Sequence, residues 1–232
     1  MKRVLLKLSG EALAGGTDDI YDVSLVDRIA ESLVTLSGEG YELAVVVGAG
    51  NIWRGRQGGD MDRVSADRMG MLATVINSIC LSEAVARAGG SAKVMTSVPM
   101  APFAESYSSD TAKRYLDEGK IVIFGAGLGI PFLSTDTAGA VRAAEISADA
   151  MLMAKNVDYV YTDDPRKNPD AKRLCEVRAS EVLAMNLKAI DATATAFCLS
   201  TGMPIRIFGM KNPEDIIRAV HGDVAGTVIT PN

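Results

Sequence analysis

Short runs of β-branched and aliphatic residues recur along this chain, and three of the early ones break into glycine-bearing turns. Arg3 to Leu8 runs into Ser9-Gly10, Tyr41 to Val47 into Gly48-Ala49-Gly50, and Lys120 to Phe124 into Gly125-Ala126-Gly127. Ala92 to Val98, Ala150 to Met153, Asp158 to Tyr161, Ile205 to Phe208 and Thr227 to Ile229 also read as strands. Uninterrupted apolar stretches such as Ala44-Val45-Val46-Val47 point to burial on both faces, the pattern of a parallel sheet. Helical spacing fills the gaps at Ser24 to Ser37, Ala66 to Ala88, Asp136 to Ile146, Ser180 to Ala184, Asp191 to Ser200 and Pro213 to His221. Asp136 and Asp191 are the expected N-caps of two of these helices. The alternation predicts an α/β fold with helices on both faces of a mainly parallel sheet. No repeat, low-complexity tract or linker divides the 232 residues, so a single domain over 1–232 is expected. The polar stretch Tyr161 to Lys172 reads as a loop.

Composition removes several classes of function. The net charge is −5, from 24 basic and 29 acidic residues, which argues against a nucleic-acid or anionic-membrane surface. The only histidine is His221, so no histidine triad, histidine pair around a metal or His-rich zinc site can form. Cys80, Cys175 and Cys198 are odd in number and lack a CxxC spacing, which reads as reduced thiols in a cytoplasmic protein. Met1 to Lys7 lacks the apolar core of a signal peptide. The apolar stretch Ile121 to Leu133 is broken by Gly125, Gly127, Gly129 and Pro131, so no membrane span is expected there.

In a parallel α/β sheet, ligands bind beyond the carboxyl ends of the strands. Three such ends deliver Lys7-Leu8-Ser9-Gly10, Gly48 to Arg56, and Gly125 to Asp136. Glycine lets backbone N–H groups approach an anion, and a following helix N-terminus adds partial positive charge. With Lys7, Arg54, Arg56, Ser134 and Thr135 these are the parts of a phosphate site, although each alone also reads as surface charge or tight packing. No GxxxxGK[ST] stretch is present, and both Gly-x-Gly turns lack the third glycine of the dinucleotide fingerprint, with Trp53 and Ile130 in its place. The protein-kinase signature set is missing as well.

Five stretches in this order resemble one family. They are Lys7 to Leu13 (KLSGEAL), Gly50 to Gly55 (GNIWRG), Asp67 to Thr74 (DRMGMLAT), Pro131 to Asp136 (PFLSTD) and Tyr161 to Pro165 (YTDDP). Together they are similar to the bacterial-type uridylate (UMP) kinases of the amino acid kinase superfamily, over Lys2 to about Thr230. The resemblance implies a three-layer α/β/α sandwich and transfer of the γ-phosphoryl group of Mg-ATP to UMP. It also implies a homohexamer, GTP activation and UTP inhibition. Lys7, Arg54, Asp136 and Asp191 match the catalytic group. Lys7, Leu8, Ser9, Gly10, Gly50, Arg54, Tyr161 and Asp164, with Lys155 or its neighbour Asn156, match the ATP segments. Ala49, Asp67 and the loop Leu128, Gly129, Ile130, Pro131, Phe132, Leu133, Ser134 and Thr135 match the UMP site, with Asp67 at the ribose hydroxyls. The resemblance brings magnesium in on the ATP phosphates, with no dedicated protein ligands.

Three departures stand out. Ala49 replaces a glycine and requires negative φ. Leu128 and Ile130 replace two polar side chains, which shifts base recognition toward backbone groups. Tyr159 replaces a common glycine. The alternatives are a superfamily kinase acting on a carboxylate or carbamate, against which the Asp67 to Thr74 stretch argues, and a non-catalytic nucleotide-binding relative, against which Lys7, Arg54, Asp136 and Asp164 argue.

Overall fold

A computed structural model of the chain describes residues 1–16, 19–53, 59–163, 167–187 and 189–231. Within them the element order is β1 (Arg3–Leu8), α1 (Glu11–Ala14), α2 (Val23–Gly38), β2 (Glu42–Val47), α3 (Arg63–Arg87), β3 (Ala92–Thr96), β4 (Glu105–Ser106), α4 (Ser109–Asp117), β5 (Ile121–Gly125), α5 (Thr135–Glu145), β6 (Ala150–Lys155), β7 (Val160–Tyr161), β8 (Arg173–Leu174), β9 (Glu176–Arg178), α6 (Ala179–Ala184), α7 (Ala192–Thr201), β10 (Ile205–Gly209), α8 (Asp215–His221) and β11 (Gly226–Thr230).

Among the described residues, nine strands form one sheet in the order β4-β3-β5-β2-β1-β6-β10-β11-β9. Every neighbouring pair is parallel except β10 and β11. The carboxyl ends of the seven strands from β4 to β10 therefore share one edge, and the glycine turns after β1, β2 and β5 meet there.

Strand periodicity divides the core in two. Val4, Leu6 and Leu8 of β1 and Leu43, Val45 and Val47 of β2 face α2, α3 and α8. Leu5 of β1, Ala44 and Val46 of β2, and Met151 and Met153 of β6 face α4, α5, α6 and α7. Helices on both faces bury every residue of β2, as its apolar run predicts. Gly139 lets α5 lie close on the sheet, because a Cβ there would stand 2.6 Å from Met151 Cε.

Capping sets the helix starts. Asp22, Asp62 and Asp191 accept from the N–H groups of Leu25, Ser65 and Ala194. Asp136 does not cap α5, contrary to expectation: Ser134 does, its hydroxyl accepting from the N–H groups of Asp136 and Thr137 at 3.0 Å. Asp136 is thus inside the first turn, where a carboxylate is favoured by the helix dipole and its oxygens are free for other partners.

One strand expectation also needs correction. The Asp158 to Tyr161 strand shrinks to Val160–Tyr161 and pairs antiparallel with β8, outside the main sheet. The Tyr161 to Lys172 stretch is the connection of that small hairpin, closed by Thr162 N–H donating to Lys172 O. Helix α4 was not anticipated, although Ser108 caps it and Ala112, Tyr115 and Leu116 form its buried stripe. Helix α3 is long and apolar enough to cross a membrane by composition. Its buried face, which includes Ala73, Asn77, Ser78 and Leu81, is instead packed into the domain.

Leu5 is fully buried beneath α5, so Leu5→Ala removes contacts on the face that carries the site. The expected loss is about 2–5 kcal/mol of stability, read as a lowered urea midpoint at unchanged slope.

Candidate active site

Period-two geometry delivers two lysines to one place. Lys7 shares the α5 face of β1 with Leu5, and Lys155 shares the same face of neighbouring β6 with Met151 and Met153. Both stand at carboxyl ends of their strands, directly below the start of α5. The Asp136 carboxylate bridges them, with Oδ1 2.7 Å from Lys7 Nζ and Oδ2 2.9 Å from Lys155 Nζ. Lys7 and Asp136 are buried and Lys155 is partly so. Burial opposes ionisation of Asp136, but the Lys7 and Lys155 charges and hydrogen bonds outweigh it and hold the carboxyl below its ordinary range. Burial, aided by the Lys7 charge, lowers the Lys155 ammonium below its ordinary value despite Asp136.

A second carboxylate ties two helix starts together. Asp191 accepts from Ala194 N–H at the cap of α7, and also from the Ser134 and Thr137 hydroxyls of α5. The N-termini of α5 and α7 therefore converge beside the lysine pair, both offering positive dipole ends. Cys198, nearly two turns into α7, is buried; burial, with the Asp191 charge nearby, pushes its thiol up to about 12.

The glycine turns pack against one another. A Cβ on Gly10 would stand 2.5 Å from the Gly50 nitrogen and 2.8 Å from the Gly48 carbonyl oxygen, so only glycine permits this approach. Gly48 N–H donates to Leu8 O, and the N–H groups of Ile52 and Trp53 return to Ala49 O. Ala49 keeps negative φ, as its methyl requires; the non-glycine residues with positive φ are Ala126, Phe132, Ser147 and Asn186 among those described.

Asn77 was missed by sequence reasoning. Fully buried on α3, it donates through Nδ2 to Gly48 O at 2.7 Å and to Asn51 Oδ1 at 2.8 Å, while its Oδ1 accepts from Tyr21 Oη. An amide inside an otherwise apolar helix was the available signal.

Two cavities flank this centre. One, of about 280 Å³, is walled by Ala49, Asp67, Leu128, Ile130, Leu133 and Thr135, with Trp53 and Gly127 beside them. The Asp67 carboxylate there accepts from Phe132 N–H at 2.7 Å and from Arg63. Gly129, Pro131 and Phe132 belong to the same loop but do not wall the cavity. Trp53 donates its indole N–H to Ala66 O, fixing the ring against α3. On the other side, Asp136, Lys155 and Asp191 wall a cavity of about 360 Å³. It shares Asn186, Leu187 and Ala189 with a further hollow of about 430 Å³ that holds Tyr159 and Tyr161. Ser9, Lys155 and Asn156 meet in another hollow of about 390 Å³. Only Lys155 of the 155–156 pair is bonded to Asp136; Asn156 is exposed. Leu8 is a core side chain, so it can offer a ligand only backbone groups. Arg54, Arg56 and Asp164 lie outside the described residues.

The arrangement places two lysine ammonium groups and the N-termini of α5 and α7 among these cavities. The family model for the amino acid kinase family matches residues 2–209, and the chain belongs to that family. A solved UMP kinase from Bacillus anthracis is 37% identical over 100% of this chain and 96% of its own, with a TM-score of 0.94. A UMP kinase from Ureaplasma parvum is 33% identical over 99% and 98%, also at 0.94. A uridylate kinase from Archaeoglobus fulgidus, 24% identical over 99% and 100% with a TM-score of 0.76, shares the fold.

Asp136→Asn leaves two lysines without their anion, and the expected cost at neutral pH is about 3–5 kcal/mol. Because the folded-state pKa of Asp136 is lowered, its stabilisation is full above the ordinary value of about 3.9 and fades as the pH falls below it. The stability gap between wild type and variant should narrow below that pH; a gap independent of pH in urea titrations would contradict this.

Proposed function

We propose that this protein is an ATP-dependent nucleoside monophosphate kinase that transfers the γ-phosphoryl group of ATP to UMP, giving UDP and ADP. The observation that carries the reading is the lysine–aspartate–lysine cluster between two cavities, one of them walled by the Asp67 to Thr74 and Leu128 to Thr135 stretches. Full-length similarity to UMP kinases at 37% and 33% identity supports the same acceptor.

The chemistry needs charge balance and alignment more than covalent help. An oxygen of the UMP phosphate, already ionised, attacks the γ-phosphorus in line while the bond to the ADP oxygen breaks. No base with a pKa near 7 is required, which accords with a chain whose one histidine is on α8. Lys7 and Lys155 face charge spread over the equatorial oxygens, with the amides of the Gly10 and Gly50 turns and Arg54 beside them. Asp136 aligns both lysines, and Asp191 aligns the starts of α5 and α7. Asp67 receives the ribose hydroxyls, and the backbone of Leu128 to Ile130 reads the base. The hollow with Tyr159 and Tyr161 takes the adenine end of ATP, with Asp164 near it. Among the described residues no cluster of three or more metal-ligating side chains forms. Magnesium would come in on the ATP phosphates and keep its waters, as magnesium sites lean on substrate phosphates, with Asp136 and Asp191 the carboxylates beside the lysine pair. When bound it neutralises phosphate charge.

The reading extends to a cytoplasmic homohexamer, activated by GTP and inhibited by UTP. Met69, Leu72, Ile76 and Ile79 form an exposed stripe on α3 at spacings of three and four residues, 40–52% exposed, a surface suited to a neighbouring subunit.

An ADP-release assay with ATP against UMP, CMP, dTMP, acetylglutamate and carbamate tests the function. UMP should be the acceptor turned over, and Lys7→Ala should lower that rate about 10²–10³-fold. Turnover of a carboxylate or carbamate instead would overturn the reading. Sedimentation velocity tests the assembly: wild type should run as a hexamer and Leu72→Glu as a smaller species, whereas a monomeric wild type would refute it.

A further inference from the structure

The turn that closes the acceptor cavity is conformationally demanding. Ala126 has φ 62°, Gly127 φ 54° and Gly129 φ 73°, so three of four successive residues occupy the left-handed region, one of them with a side chain. Such backbone persists only where its surroundings over-determine it. Two side chains from outside the loop do so. On one side Ala126 N–H donates to Thr74 Oγ1 of α3 at 2.9 Å. On the other, Ser97 Oγ, just past the end of β3, donates to Gly127 O at 2.6 Å.

The Ser97 hydroxyl sits between a carbonyl that can only accept and Arg142, which fixes how its lone pairs are used. Arg142 Nη2 lies 2.8 Å from Ser97 Oγ, and a guanidinium can only donate. The serine oxygen must accept there, and its single proton goes to Gly127 O. Arg142 is itself held rigidly. Its side chain is only 6% exposed. Its guanidinium carbon lies 3.6 Å from the centre of the Tyr107 ring, and Nη1 is bonded to Glu145. Tyr107 Oη donates to the same Glu145 carboxylate at 2.6 Å, and its ring packs edge-on against Phe124 of β5. The buried Arg142 Nε–H finds no hydrogen-bond partner among the described residues. The guanidinium is thus oriented by the ring, Glu145 and Ser97 at the expense of its own complete pairing.

We infer that Arg142 and Ser97 are positioning residues for the acceptor: Arg142 orients the Ser97 hydroxyl, which pins the Gly127 carbonyl and so fixes the turn that forms one wall of the acceptor cavity. The relay also links the two halves of the reaction centre. Helix α5 carries Asp136 at its start and Arg142 two turns later, so one rigid element sets both the lysine pair and the acceptor turn. Neither Arg142 nor Ser97 walls the cavity, and both act through Gly127. The inference rests on the UMP reading above.

Trp53, the single tryptophan of the chain, is on the wall of that cavity, so its fluorescence reports acceptor binding directly. UMP is titrated into wild type, Ser97→Ala, Ser97→Thr, Arg142→Lys and the Ser97→Ala/Arg142→Lys double variant, alongside KM values for UMP and ATP. Ser97→Ala strands a carbonyl and should weaken UMP binding about five- to tenfold, in both Kd and KM, with the ATP KM within about twofold of wild type. Ser97→Thr keeps the hydroxyl and should restore wild-type binding. Arg142→Lys should match Ser97→Ala, and the double variant should be no weaker than either single change, because both break one chain of contacts. UMP binding unchanged in Ser97→Ala, ATP weakened equally, or multiplicative losses in the double variant would each overturn the inference. A wild-type protein that neither responds to nor phosphorylates UMP would overturn the acceptor reading and this inference together; failure of the variants alone leaves the acceptor reading standing.

Discussion

Asp136 lies between two ammonium groups, and the placement of both lysines depends on it. Moving an ammonium out of water costs several kcal/mol, so neither Lys7 nor Lys155 could be held at a sheltered strand end without an anion in contact. One carboxylate for two cations leaves the cluster with a surplus positive charge in a partly dry environment. In such surroundings a positive charge draws an anion more strongly than an exposed lysine would. The cluster is better understood as a device for holding charge in place than as a source of stability, since buried ion pairs rarely outperform apolar packing.

The rest of the edge is organised so that polar backbone is presented without collapsing. Glycine at positions 10 and 50 lets two turns touch, and Asn77 ties the second turn to α3 from beneath. Asp191 binds the starts of α5 and α7 into one unit through Ser134 and Thr137. The Asp191 link leaves two helix N-termini beside the lysine pair, an arrangement that favours anions. The apolar walls at Leu128, Ile130 and Leu133 supply shape, and Asp67 is the charged residue on that wall.

Much of this was legible in the sequence. Strand cores and the glycine turns after β1, β2 and β5 are local signals, because period-two burial and glycine content are written in neighbouring residues. Of the five stretches that resemble UMP kinases, KLSGEAL and the described part of GNIWRG lie at the turns after β1 and β2, PFLSTD leads into α5, and DRMGMLAT lies inside α3. The mistakes also have local causes. Asp136 was read as a cap because aspartate before an alanine-rich run is a common cap, yet Ser134, two residues earlier, has the extended backbone a cap needs. Asp158 to Tyr161 looked like a sheet strand because β-propensity cannot say which partner a strand will find. Helix α4 was overlooked because its apolar stripe is short among charged residues. Asn77, Ser97 and Arg142 carry no motif; their partners are 29, 30 and 45 residues away.

By itself the sequence determined the secondary-structure alternation, the single histidine and the glycine-rich turns that follow three strands, since these follow from residue type and short-range spacing. Only the tertiary structure decided that Lys7 and Lys155 share one carboxylate, that Ser134 caps α5 and leaves Asp136 to the lysines, and that Arg142 reaches the turn after β5 through Ser97. Those outcomes depend on strand order and register. The β1–β6 pairing brings together residues about 150 positions apart, and no local pattern encodes which strand lies beside which.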